Sequence, residues 1–84
     1  MDIEVDYIPD DSDERREWIK YQLKIRGLTL ASLAREHGVS RHVFSKALTH
    51  GSIRWDHVIA KAINFPVSFL WPDRYDADNL PRKH

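Results

Sequence analysis

Eighty-four residues, 42% of them hydrophobic and 31% charged, suffice for one small domain with a thin core and not for two. The absence of cysteine excludes disulfides and thiolate metal sites, so a reducing cytoplasm fits better than a secreted scaffold. Net charge is zero but unevenly placed: residues 1–14 hold seven acids and no base, whereas Arg15 to Trp71 hold ten lysines and arginines against Glu17, Glu36 and Asp56, a net of +7.

Residues 1–12 read as a solvated, disordered acidic leader. Met1-Asp2-Ile3-Glu4-Val5-Asp6 is the opposite of a basic signal-peptide start, and no apolar run approaches the roughly 20 residues that cross a bilayer. A soluble, cytoplasmic protein with no membrane partner is expected. Around Pro9-Asp10-Asp11-Ser12-Asp13 an aspartate or serine is placed to accept hydrogen bonds from the first amides of a helix. That helix is predicted over about 13–26, ended by Gly27, with acids early and bases late as the helix dipole favours. Trp18, Tyr21 and Ile25 form one apolar ridge on it and Ile19 with Leu23 a second, while Arg16, Lys20 and Lys24 face outward.

Thr29 caps a second predicted helix, 30–37, with Leu30, Leu33 and Ala34 inward, and Gly38 ends it. Ser40 caps a third, from Arg41 to about Thr49, with Val43, Phe44, Ala47 and Leu48 apolar. After Gly51 a fourth helix is predicted over about 54–64, burying Trp55, Val58, Ile59, Ala62 and Ile63. Pro66 then opens a short turn through Leu70. Residues 76–84 lack periodicity and read as a flexible tail. The pattern is all-α.

The joint His37-Gly38-Val39-Ser40 carries the function. Ala34, four residues before the glycine, lets two short helices cross closely, and Leu33, Val39, Phe44 and Ala47 bury the crossing. This is what a helix-turn-helix requires to present its second helix to a DNA major groove. His37 departs from the apolar residue usual at that corner, and fits if its ring packs with one nitrogen wet. With Phe44 and Ala47 inward, Ser40, Arg41, His42, Ser45, Lys46 and Thr49 face out, and no acid occurs between Arg41 and Ser52. Arg41, His42, Ser45 and Lys46 are placed to reach base edges, and Ser40 and Thr49 to bond phosphate.

The run from Leu23 through Arg26-Gly27-Leu28-Thr29-Leu30 to His37-Gly38, followed by Ile59-Ala60-Lys61-Ala62-Ile63 and closing with Leu70-Trp71-Pro72-Asp73-Arg74-Tyr75, resembles the Ner family. These are small regulators of transposable, Mu-like bacteriophages, with related bacterial Nlp proteins. The resemblance covers roughly residues 18–75, and the ending Trp71-Pro72-Asp73-Arg74-Tyr75 is its most distinctive part. It implies a compact five-helix domain of the lambda-repressor type, residues 13–75, that binds double-stranded operator DNA and represses phage early transcription. Arg41, His42, Ser45 and Lys46 then lie on the recognition helix. The linker His50-Gly51-Ser52-Ile53-Arg54-Trp55 lacks the family's Trp-Pro-Lys-Gly run, and the acidic leader is longer than the family's.

No metal, cofactor, small-molecule substrate or catalytic role is expected. His37, His42, His50 and His57 fall on different elements without metal-ligand spacing, and Glu36 and Asp56 read as isolated carboxylates. Trp55 and Trp71 read as core, and Arg74 as a brace of the C-terminus against the first helix. The competing class is a helical protein-interaction module, antitoxin-like or adaptor-like, for which zero net charge is the best argument. Salt dependence separates the two, because phosphate contacts make affinity fall steeply with salt and an apolar interface does not. A helix-turn-helix unit reads two half-sites one DNA turn apart, so a homodimer on DNA is expected.

Overall fold

Asp11 starts the first helix: its carboxylate accepts from the Glu14 amide at 3.0 Å, and α1 runs over Ser12–Lys24. The structure is a computed structural model and describes residues 8–82. Most of the expected leader lies outside that range. Within it, Ile8 packs on the core and Pro9 is buried. Arg15 holds this entry by donating to the Pro9 carbonyl (3.1 Å) and the Asp10 carbonyl (3.0 Å).

Only one of the two apolar ridges of α1 is covered. Ile19 and Leu23 are fully buried and Gln22 joins them, while Trp18 is half-buried on Phe65 at 5.5 Å between ring centroids. Tyr21 and Ile25, expected inside, are each 56% exposed. The helix packs on α3 (Arg41–His50) and α4 (Ile53–Ile63), which meet one side of it, and the two ridges together span a wider arc than those partners reach.

α2 (Leu30–His37) opens with reciprocal bonds: the Thr29 hydroxyl accepts from the Ser32 amide (3.0 Å) and the Ser32 hydroxyl from the Thr29 amide (2.9 Å). It closes on Gly38 at φ +70°, a conformation that only glycine adopts without steric cost, with the Val39 amide bonding back to the Ala34 carbonyl at 2.9 Å. Asn64 closes α4 the same way at φ +65°, the Phe65 amide reaching the Ala60 carbonyl. α5 (Val67–Leu70) follows Pro66, which sits just before the helix in extended conformation rather than in its first turn.

The five helices enclose one core in which Leu33, Ala34, Phe44, Ile59, Ile63, Leu70 and Trp71 are buried. The domain is all-α: among the described residues there is no β-strand, only an antiparallel bridge between Tyr75 and Pro81. That bridge belongs to a return of residues 76–82, the stretch whose lack of periodicity reads as a tail. The Arg82 amide bonds the Arg74 carbonyl (2.9 Å), Arg82 Nε the Pro72 carbonyl (2.7 Å), and Asn79 Oδ1 accepts from the Ser68 amide (3.0 Å). No helix among the described residues is long and apolar enough to cross a membrane.

Candidate nucleic-acid interface

The outer face of α3 carries Arg41, His42, Lys46 and Thr49 exposed, with Ser40 exposed just before it and Ser45 half-buried. Arg41, His42 and Lys46 make no side-chain hydrogen bond or ion pair among the described residues, so these donors face water. Thr49 differs, since its hydroxyl donates to the Ser45 carbonyl at 3.2 Å and must release that bond to meet a phosphate. Ser40 holds the N-cap position in extended conformation, but its hydroxyl makes no cap bond. The leading amides of α3 are therefore left without the side-chain partner that a serine cap supplies.

The inner face fixes the angle at which this surface is presented. Phe44 is fully buried and meets Trp55 edge-on at 5.1 Å. His37 is exposed yet lays its ring against Phe44 (6.2 Å) and Trp55 (5.8 Å), so an imidazole fills the corner where an apolar residue is usual. Trp55, expected in the core, is only half-buried, and the Arg54 guanidinium lies over its ring at 4.6 Å.

The C-terminal end of α3 is held from far along the chain. Arg74 donates to the Ala47 carbonyl (3.0 Å) and the Leu48 carbonyl (2.9 Å), and to both carboxylate oxygens of Asp56 (3.2 and 3.3 Å). Asp56 is 1% exposed, and it also accepts from the Tyr75 hydroxyl (3.0 Å) and the Ser52 amide (3.3 Å). Gly51, at φ +91°, lets the guanidinium lie close, since a β-carbon there would sit 3.2 Å from Arg74 Nε.

Residues 13–84 match the family of winged helix-turn-helix DNA-binding domains. The chain belongs to that family. No curated protein and no solved structure matches it. The helix-turn-helix of this family member is α2, the Gly38 turn and α3, and its one β feature among the described residues is the Tyr75–Pro81 bridge.

The Asp56–Arg74–Tyr75 cluster departs from the sequence expectation twice. Arg74 braces the C-terminus against α3 and α4 rather than α1. Contact with α1 comes instead from its neighbour Asp73, which pairs with Arg15 at 3.2 Å. Asp56 is not isolated either. With Ile59, Ala60 and Ile63 it occupies the i, i+3, i+4, i+7 stripe that α4 buries, while the expected Val58 and Ala62 are half-buried. An acid at the head of an apolar stripe is the signal that was available, because such a group stays inside only with a partner. Burial pushes the Asp56 carboxyl above its ordinary value, against the pull of the Arg74 charge and of the Tyr75, Ser52 and Arg74 hydrogen bonds. Burial, reinforced by the Asp56 charge, also raises the Tyr75 phenol, which therefore keeps the proton it donates.

Proposed function

We propose that this chain is a sequence-specific transcriptional regulator that sets α3 in the major groove of an operator, a Ner-like repressor of phage early promoters acting in the bacterial cytoplasm. The observation that carries the DNA reading is the outer face of α3: exposed donors, free of acid, on a helix anchored along its inner side and at its C-terminal end. In this reading Arg41, His42, Ser45 and Lys46 meet base edges, and Ser40 and Thr49 meet phosphate. The Ner-like assignment rests on the run Trp71-Pro72-Asp73-Arg74-Tyr75, whose two aromatic residues are core and whose arginine ties the recognition helix. Residues 13–75 carry the DNA-binding unit, with the acidic leader ahead of it and the return of residues 76–82 bonded onto its end. Two copies meet on DNA over half-sites one helical turn apart. The acidic leader weakens DNA binding, either as a diffuse repulsive charge or as a tethered competitor for the basic face.

Gel-shift titrations on DNA flanking the protein's own gene test this reading. Arg41→Ala and Lys46→Ala each lose about 1–3 kcal/mol of operator binding while keeping the helical circular-dichroism signal. Wild-type affinity in both would remove the outer face of α3 as the reading surface. A flat salt dependence would mark the interaction module instead.

A further inference from the structure

Two grooves border α3, and both are lined with cations. The one at its C-terminal end, about 480 Å³, is bordered by Arg15, Arg16, Arg74 and Arg82. Each of these guanidiniums is already engaged: Arg15 with Asp73, Arg16 with Asp13, Arg74 with Asp56 and two carbonyls, and Arg82 with the Pro72 carbonyl. Two of those acids, Asp56 and Asp73, line the groove themselves. An incoming anion would meet charges that are neutralised within the fold.

The groove at the N-terminal end of α3, about 570 Å³, is different. It lies between Lys20 and Lys24 of α1, Thr29 ahead of α2, and Arg41 and Ser45 of α3, and no acid lines it. Lys24 and Arg41 make no ion pair among the described residues. Among the described residues Lys20 pairs with Glu17 at 3.6 Å, with both side chains well exposed, an arrangement of the kind that holds little energy in water. We propose that this groove is a seat for the DNA sugar–phosphate backbone, with Lys24 and Lys20 as its cationic wall.

The proposal rests on the reading of α3 as the groove-bound helix, because Arg41 and Ser45 belong to both surfaces. A helix lying in a major groove about 12 Å wide has a phosphate strand along each side, and the strand nearest the N-terminal end of α3 passes over this groove. The lysines stand one helix layer back from α3, beyond the base edges, where a strongly hydrated point charge on a flexible stem suits phosphate. Their contribution is sequence-independent: they hold register and supply affinity, while α3 discriminates.

Fluorescence anisotropy on a mixed-sequence duplex of about 20 base pairs, titrated with salt, tests the wall without knowledge of the operator. Each phosphate contact removed makes the slope of log affinity against log salt shallower by about 1. Lys24→Ala and Lys20→Ala are expected to lower affinity and flatten the slope, and Lys24→Arg to restore it. Lys61→Ala, an exposed lysine on α4 that lines neither groove, is expected to leave both unchanged. The loss should be equal on the mixed duplex and on DNA flanking the gene. An unchanged slope in Lys24→Ala overturns the proposal, as does a loss confined to the flanking DNA, which would make Lys24 a base reader. Arg41→Ala run in parallel separates the two claims: weakened binding there with unchanged lysine variants overturns the wall and leaves the reading helix standing. Failure of the wild-type protein to bind either DNA overturns both.

Discussion

The two ends of α3 are built in opposite ways. At the N-terminal end the Ser40 hydroxyl makes no cap bond, Arg41 and His42 face water, and the adjoining groove holds lysines without strong partners. At the C-terminal end a guanidinium from 26 to 27 residues away bonds the Leu48 and Ala47 carbonyls and is neutralised by an aspartate that is 1% exposed. The bonded end fixes where the helix points, and the open end leaves amides and positive charge for something outside the chain. Asp13, Asp56 and Asp73 each pair with an arginine of the same chain, and none of the three lines the groove beside Arg41.

Arg74→Ala attacks the bonded end and has the largest expected effect. It strands the buried Asp56 carboxylate and removes donors from two carbonyls of α3. Breaking a buried ion pair from one side costs about 3–5 kcal/mol, a large share of what a domain this small holds. Urea melts followed by circular dichroism measure it. A midpoint close to wild type would show that the C-terminal carbonyls of α3 do without the guanidinium.

Tyr75→Phe probes the same cluster more gently, removing only the hydroxyl that donates to Asp56 at 3.0 Å. A lost hydrogen bond to a charged group costs about 1.5–3 kcal/mol. The effect depends on pH with a definite sign. The folded phenol binds its proton more tightly than the ordinary value of 10.0, so its contribution is intact below that pH and is lost as pH rises through the folded value. The stability gap between wild type and Tyr75→Phe should therefore be constant up to about pH 9 and narrow above about pH 10. Melts across that range decide it, and a constant gap would mean that Tyr75 titrates like a free phenol.

Much of this contrast was legible in the sequence, and the reason for the remainder is physical. α2 and its turn were readable because local rules decide them: a Thr29 cap, a small Ala34 and a glycine at φ +70° act within a few residues of one another. The outer face of α3 followed from helical phase alone. What stayed hidden depends on contacts distant in sequence. Arg74 meets carbonyls of α3 across 26 and 27 residues, which no local pattern encodes. Tyr21 and Ile25 have the spacing of a buried ridge, and only the placement of α3 and α4 leaves them outside. Ser40 misled in the other direction, since its type and position announce a cap that its side chain does not make.

Ser40→Ala is the smallest perturbation, and it separates the two roles of the open end. A serine cap that bonds helix amides is worth about 0.5–2 kcal/mol to stability. Here no such bond exists, so the urea midpoint of Ser40→Ala should stay within about 0.5 kcal/mol of wild type, as for an ordinary surface change. If the hydroxyl instead serves a DNA phosphate, affinity falls on operator and mixed-sequence duplex by the same factor, because a phosphate contact carries no sequence information. The pairing of an unchanged melt with a weakened gel shift is what the open end predicts. A destabilised variant would show that Ser40 caps α3 in solution. A stable variant with wild-type affinity would show that the hydroxyl serves neither the helix nor the DNA, leaving the amides, Arg41 and the lysine wall to hold the phosphates at this end.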